Sequence, residues 1–137
     1  MADLRRCRTL SVSIDRSPGQ VYAFVRDAEN IPRWAGGLGK SVRKSGMGWI
    51  LETDHGPVGF HFVADNDLGV LDHMVTVAPG VEVLNPMRVV ANGSGSEVSF
   101  TLFQLPGMTA EQFDTDGATV ERDLRALKRV LEADARR

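Results

Sequence analysis

Ile14-Asp15-Arg16-Ser17-Pro18-Gly19-Gln20-Val21-Tyr22-Ala23-Phe24-Val25-Arg26-Asp27, followed by Asn30-Ile31-Pro32-Arg33-Trp34, is the stretch that decides the fold. It predicts a strand that runs into a capped helix and then into a second helical turn. Ser17 can cap the first helix, Pro18 suits its first position, and Gln20 can reach back to the cap as in a capping box. Val21, Phe24 and Val25 form its apolar stripe. Pro32 redirects the chain, and Ile31 and Trp34 anchor the second short helix by packing. Upstream, Leu10, Val12 and Ile14 alternate with Thr9, Ser11 and Ser13, which is the period of a half-buried strand.

Downstream the chain reads as strands. Gly36-Gly37 opens this region, with a strand near 39–45 and, beyond Ser45-Gly46-Met47-Gly48, another near 49–54. Asp54-His55-Gly56-Pro57 is a turn signal. Residues 58–65 and 70–78 are strands around Asn66-Asp67-Leu68-Gly69, and 81–91 and 97–104 pair across Asn92-Gly93-Ser94-Gly95-Ser96. That makes seven strands, mostly consecutive, for which an antiparallel meander is the default. Pro106-Gly107 ends the sheet. Thr109-Ala110-Glu111-Gln112 repeats the capping-box pattern, and Phe113, Val120, Leu124, Leu127 and Leu131 then mark one face of a helix running to about residue 135. Such a helix is about 39 Å long. Gly117 is its weak point, costing roughly 1 kcal/mol relative to alanine, and a bend is expected there.

Composition narrows the function classes. The chain has 137 residues, one domain of ordinary size, with 42% hydrophobic and 25% charged residues, as in a globular protein. A net charge of -2 gives no field for nucleic acid or anionic lipid. Arg5, Arg6 and Arg8 read as a solvated strand edge rather than a phosphate site. No apolar run approaches a membrane span, and no apolar stretch follows the N-terminal arginines as a signal peptide requires. Cys7 is the only cysteine, so neither an intrachain disulfide nor a cysteine metal site is expected. Together these features predict a cytoplasmic protein.

The strand, Ser17-Pro18-x-x-Val21-Tyr22, Asn30-Ile31-Pro32-Arg33-Trp34, the meander, and the helix ending Asp123-Leu124-x-x-Leu127-Lys128-x-x-Leu131 resemble the SRPBCC or START-like superfamily. That superfamily includes polyketide cyclase/dehydrase and lipid-transport proteins and the birch-pollen allergen group. The resemblance covers about residues 8–133 of a single domain spanning 1–137. It implies an α+β helix-grip fold: a curved seven-stranded antiparallel sheet, two short helices after its first strand, and a long C-terminal helix over a cavity.

Alternation suggests which side chains face that cavity. Phe60, Phe62 and Ala64 oppose His61, Val63 and Asp65. Leu71, His73, Val75 and Val77 oppose Asp72, Met74 and Thr76. Met87, Val89 and Ala91 meet Val98, Phe100, Leu102 and Gln104, and Trp49, Leu51 and Thr53 are a further inward set. The candidate ligand-binding residues are therefore Trp49, Phe60, Phe62, His73, Met87, Val89, Phe100, Leu102, Gln104, Val120 and Leu124, with Thr53 and Asn85 as further polar groups. An apolar concavity with a few polar groups suits a small hydrophobic or aromatic molecule.

Signs of chemistry are sparse. His55 lies in a turn, and His61 and His73 fall on opposite faces, so no metal site is expected. No nucleophile elbow, phosphate loop or dinucleotide fingerprint is present, and no cofactor is expected. Asp72 and His73 are adjacent on a strand and cannot share a face. His73 is the best candidate catalytic residue: in an apolar pocket its pKa falls and it stays neutral, able to take a proton. Three functions follow in order: carrier or sensor of a hydrophobic ligand; cyclase/dehydrase-like enzyme; and protein-interaction module or homodimer.

Overall fold

The computed structural model describes residues 3–36 and 39–134, so Gly37 and the expected helix end near 135 lie outside the described residues. Strand β1 (Cys7–Ile14) leads into helix α1 (Pro18–Arg26), a 3-10 turn (Ala28–Asn30) and the one-turn helix α2 (Ile31–Trp34). The capping box forms as expected: the Gln20 amide donates to Ser17 Oγ at 3.3 Å and the Ser17 amide to Gln20 Oε1 at 3.2 Å. Val21 and Val25 are buried; Phe24 is only half-buried, with the Arg33 guanidinium 5.0 Å from its ring.

Strands β2 (Ser41–Ser45), β3 (Gly48–Thr53), β4 (Gly56–Phe62), β5 (His73–Ala78) and β6 (Val81–Asn85) form a five-stranded antiparallel meander in chain order. Strands β7 (Met87–Asn92) and β8 (Gly95–Phe103) join β1 in a three-stranded sheet ordered β1-β8-β7. The architecture is α+β with antiparallel sheets and a long C-terminal helix. It holds eight strands in two sheets, however, not one sheet of seven. The expected strand over 81–91 is divided at Pro86, which has no N–H to give to a ladder. On one side β6 pairs with β5, and on the other β7 pairs with β8.

The expected strand over 70–78 is divided at the same level. Val70 bridges Arg88, the Leu71 amide donates to Met87 O at 2.8 Å, and β5 starts only at His73. Asp72 closes the gap. Its carboxylate accepts the Met87 amide at 2.9 Å and Arg88 Nε and Nη2 at 3.0 Å each. Residues 69–72 thus tie the two sheets together beside β7. Gly69 permits the approach: its φ is +73°, and a Cβ there would run into the Val89 carbonyl.

Helix α3 (Ala110–Asp134) is continuous, and no break falls at Gly117. The Gln112 amide donates to Thr109 Oγ1 at 3.0 Å and the Thr109 amide to Gln112 Oε1 at 2.9 Å, the second expected capping box. Gly117 is the place where the Arg8 side chain crosses the helix. The arginine cluster is exposed yet engaged, since Arg6 also lies 5.0 Å from the Phe113 ring. The C-terminal half of α3 is tied to the β1–α1 corner. Lys128 Nζ donates to Ser13 O at 2.8 Å and Glu132 Oε2 accepts the Asp15 amide at 2.9 Å, above buried Leu124, Leu127 and Leu131. Its N-terminal half, around Asp116 to Val120, is less enclosed and leaves space beneath it.

Candidate functional site: a cleft under the C-terminal helix

That space is a cleft of about 570 Å³ between α3, the end of β8 and the inner face of β5 and β6. His73 and Val75 from β5, Val83 and Asn85 from β6, and Phe100 and Leu102 from β8 form one side. Asp116, Thr119, Val120, Asp123 and Leu124 line it from α3, and Trp34 from α2.

His73 reaches the cleft because β5 alternates as expected: His73 and Val75 are buried, while Met74 and Thr76 are more accessible. Cross-strand register sets the Phe62 ring against it, and Phe60 stacks on it at 4.9 Å between centroids with 26° between planes. Phe100 approaches at 5.9 Å from the other sheet. The Nδ1 atom lies 3.1 Å from Leu71 O, a carbonyl that can only accept, so the proton sits on Nδ1 and Nε2 keeps its lone pair. Burial lowers the pKa of His73 to about 4, only partly offset by the Leu71 carbonyl and Asp72. The ring is neutral at pH 7, and Nε2 is an acceptor without a partner among the described residues.

Asp123 is perturbed in the opposite sense. Desolvation raises its pKa from 3.8 to about 6, against a small lowering influence from Arg122 on its own helix. Asp116, one side of the same helix face, is raised as well, also by desolvation. Neither carboxylate has a hydrogen bond or an ion pair among the described residues. Trp34 is buried, and its indole N–H has no acceptor among the described residues.

Five candidates from the sequence come together in the cleft: His73, Phe100, Leu102, Val120 and Leu124. Six do not. Phe60 and Phe62 share the inner face with His73 and Val75 and pack around the His73 ring, but they do not line the space; Trp49 pairs with Phe60 one strand further out, with Lys44 Nζ 6.0 Å from its ring. Met87 and Val89 are sealed beneath α1, at 0% and 3% exposure. Gln104 lies past the end of β8, where its Nε2 donates to Met108 O at 2.9 Å and its amide to Arg6 O at 2.8 Å. Sequence reasoning passed over Val83, Asp116, Thr119 and Asp123, and treated Trp34 as an anchor alone. The signal on α3 was present: Asp116, Thr119, Val120, Asp123 and Leu124 follow the 3, 4, 7, 8 spacing of one helix face, but only the apolar members of that spacing were counted.

Two antiparallel sheets set against a long helix, with a cleft between them, make a helix-grip arrangement. The likeness to solved structures spans nearly the whole chain. XoxI from Bacillus cereus is 20% identical, with a TM-score of 0.73 over 91% of this chain and 94% of its own. A START superfamily protein from Mycobacterium smegmatis is 15% identical (TM-score 0.69; 93% and 97% covered), and an Aha1 dimer from Colwellia psychrerythraea is 14% identical (0.72; 93% and 96%). No family model and no curated protein matches the chain. At these identities the likeness establishes the fold, and function has to be argued from the site.

Two further structural facts bear on it. Among the described residues no helix is long and apolar enough to cross a membrane. Among them no group of three or more His, Cys, Asp and Glu side chains is placed to hold a metal ion, and His61 is exposed on the face opposite His73.

Proposed function

We propose that the chain is a single ligand-binding domain that holds a small hydrophobic or aromatic molecule in the α3 cleft, as carrier or sensor. The observation that carries this reading is the cleft of about 570 Å³, walled mainly by apolar side chains with a few unpaired polar groups. That is the size and chemistry of a small-molecule site. Native mass spectrometry of the protein as purified tests it directly by weighing any retained molecule. A second test uses Val120→Phe, which fills the cleft from the helix side. This variant should take up a fluorescent hydrophobic probe at least tenfold more weakly, while Phe62→Leu, outside the cleft, should change uptake less than threefold. Equal loss in both variants would reject this location.

One observation favours a second reading, a cyclase/dehydrase-like enzyme. His73 is neutral, and its Nε2 lone pair, beside an aromatic wall, has no partner among the described residues, as suits a general base in such a site. Turnover of aromatic polyketide-like substrates by wild type and His73→Gln separates the two readings. Equal rates remove His73 from any catalytic role.

A further inference from the structure

The walls of the cleft carry acceptors on His73, Glu82, Asp116 and Asp123, and donors on Arg5, Asn85, Thr119 and the Trp34 indole N–H, which has no acceptor among the described residues. His73 is 3% exposed, and its Nδ1–H is spent on the Leu71 carbonyl, so it offers only the Nε2 lone pair. Asp116 and Asp123 stand seven residues apart on one face of α3, about 10 Å along the helix, with Thr119 and Val120 between them. Both carboxylates line the space, both are partly withdrawn from water, and neither has a partner among the described residues. Glu82 adds a third carboxylate to the lining, and Arg5 is its single cation among the described residues.

An unpaired carboxylate facing an apolar cleft is costly unless something compensates it. Among the described residues no hydrogen bond or ion pair supplies that compensation. Asp116 and Asp123 point instead to a charge that arrives with the occupant. Resting on the ligand-binding reading above, we infer that the occupant of the cleft is an aromatic or apolar molecule bearing a protonated amine, with the amine held by Asp123, Asp116 adding negative potential further along the helix, and the apolar body set against Val83, Leu102 and Phe100. A donor on the far end of the body, such as a phenol, would meet His73 Nε2. The raised pKa values of both aspartates agree with this placement, because a cation beside them would restore the charged form that desolvation disfavours.

The test compares probes of one shape and different charge: 2-(1-naphthyl)ethylamine, its neutral isostere 1-propylnaphthalene, and the anion 1-naphthylacetate. Titration against the intact protein at pH 7.5 and low salt should rank amine over neutral over anion, with the amine at least tenfold tighter than the neutral probe. In Asp123→Asn the amine-to-neutral ratio should fall below threefold, and in Asp116→Asn it should fall by a smaller factor. Circular dichroism and melting confirm that each variant is folded. Equal binding of amine and neutral probes by wild type overturns the amine assignment and leaves the hydrophobic-ligand reading standing. A ratio unchanged in both variants overturns the role of the two aspartates. No binding of any of the three probes overturns this inference together with the reading on which it rests.

Discussion

His73 and Asp123 share one cleft and are perturbed in opposite directions, so their contributions to stability oppose each other over the same pH range. His73 has a folded pKa of about 4 against 6.5 unfolded. Its contribution is complete above 6.5 and is lost as pH falls toward 4, because the unfolded chain takes up the proton first. Asp123 has a folded pKa of about 6 against 3.8. Its contribution is complete below 3.8 and is lost as pH rises through 6. The histidine effect is about 3 kcal/mol, and the aspartate effect, discounted for partial exposure, is about 1–2 kcal/mol. Urea midpoints measured from pH 4 to 7 should therefore rise with pH in Asp123→Asn and fall with pH between 4 and 6 in His73→Gln. Slopes of the same sign in the two variants would remove the opposition. Alternation along β5 made His73 legible in the sequence, since a period of two assigns a face to every residue. Asp123 was not legible, because a carboxylate among leucines reads as the solvent side of a helix until the opposing wall is known.

At the level of elements, the division at Pro86 is the main departure from sequence expectation. Apolar residues flank Asn85-Pro86 on both sides from Val81 to Ala91, so hydropathy alone does not separate β6 from β7. The missing proline N–H does, and the seam it leaves is closed by side chains distant in sequence. Asp72 is the key member: its pKa is held down chiefly by the hydrogen bond from Arg88, against desolvation, with the Met87 amide helping. Arg88 is 51% exposed at the side chain and Asp72 only 12%. The two partners are therefore unequal. Asp72→Ala leaves the fully buried Met87 amide without an acceptor and should cost about 2–4 kcal/mol. Arg88→Ala removes the half-exposed partner and leaves Asp72 its bond from the Met87 amide, and should cost about 1–2 kcal/mol. Denaturant unfolding of the two variants checks the order. Equal losses would place the weight on the ion pair instead of the backbone bond. The starts of α1 and α3, by contrast, were legible residue by residue, because Ser17-Gln20 and Thr109-Gln112 carry their own hydrogen-bond partners. Gly117 gained a second meaning: the helix runs through it without a break, and the missing side chain makes room for Arg8.

Across the whole molecule, the grip is uneven, and the unevenness locates the cleft. Arg16, Lys128 and Glu132 fasten the C-terminal half of α3 to the β1–α1 corner, while the half around Val120 spans open space. The sequence showed that a long helix closes a sheet but not which half closes it tightly, since Val120 and Leu127 look alike in a hydropathy pattern. The side chains around the opening lack neighbours on one side and forfeit the dispersion contacts that a filled core supplies. Empty, the protein should therefore be less stable than its size permits, and a molecule that binds only the folded state should raise its melting temperature. At a free concentration of 100 times the dissociation constant the gain is about 2.7 kcal/mol, which for a domain of this length corresponds to roughly 8 °C. Val120→Phe should reproduce part of this gain without ligand, by supplying the missing contacts from the helix itself, and should lose the response to ligand in exchange. Melting curves of wild type and Val120→Phe, each with and without the fluorescent hydrophobic probe, measure both effects. The expected pattern is a higher melting temperature for the empty variant and a probe-induced shift in wild type alone. A variant that melts lower than wild type and still shifts with probe would mean that Val120 faces a packed interior and that the occupant sits elsewhere.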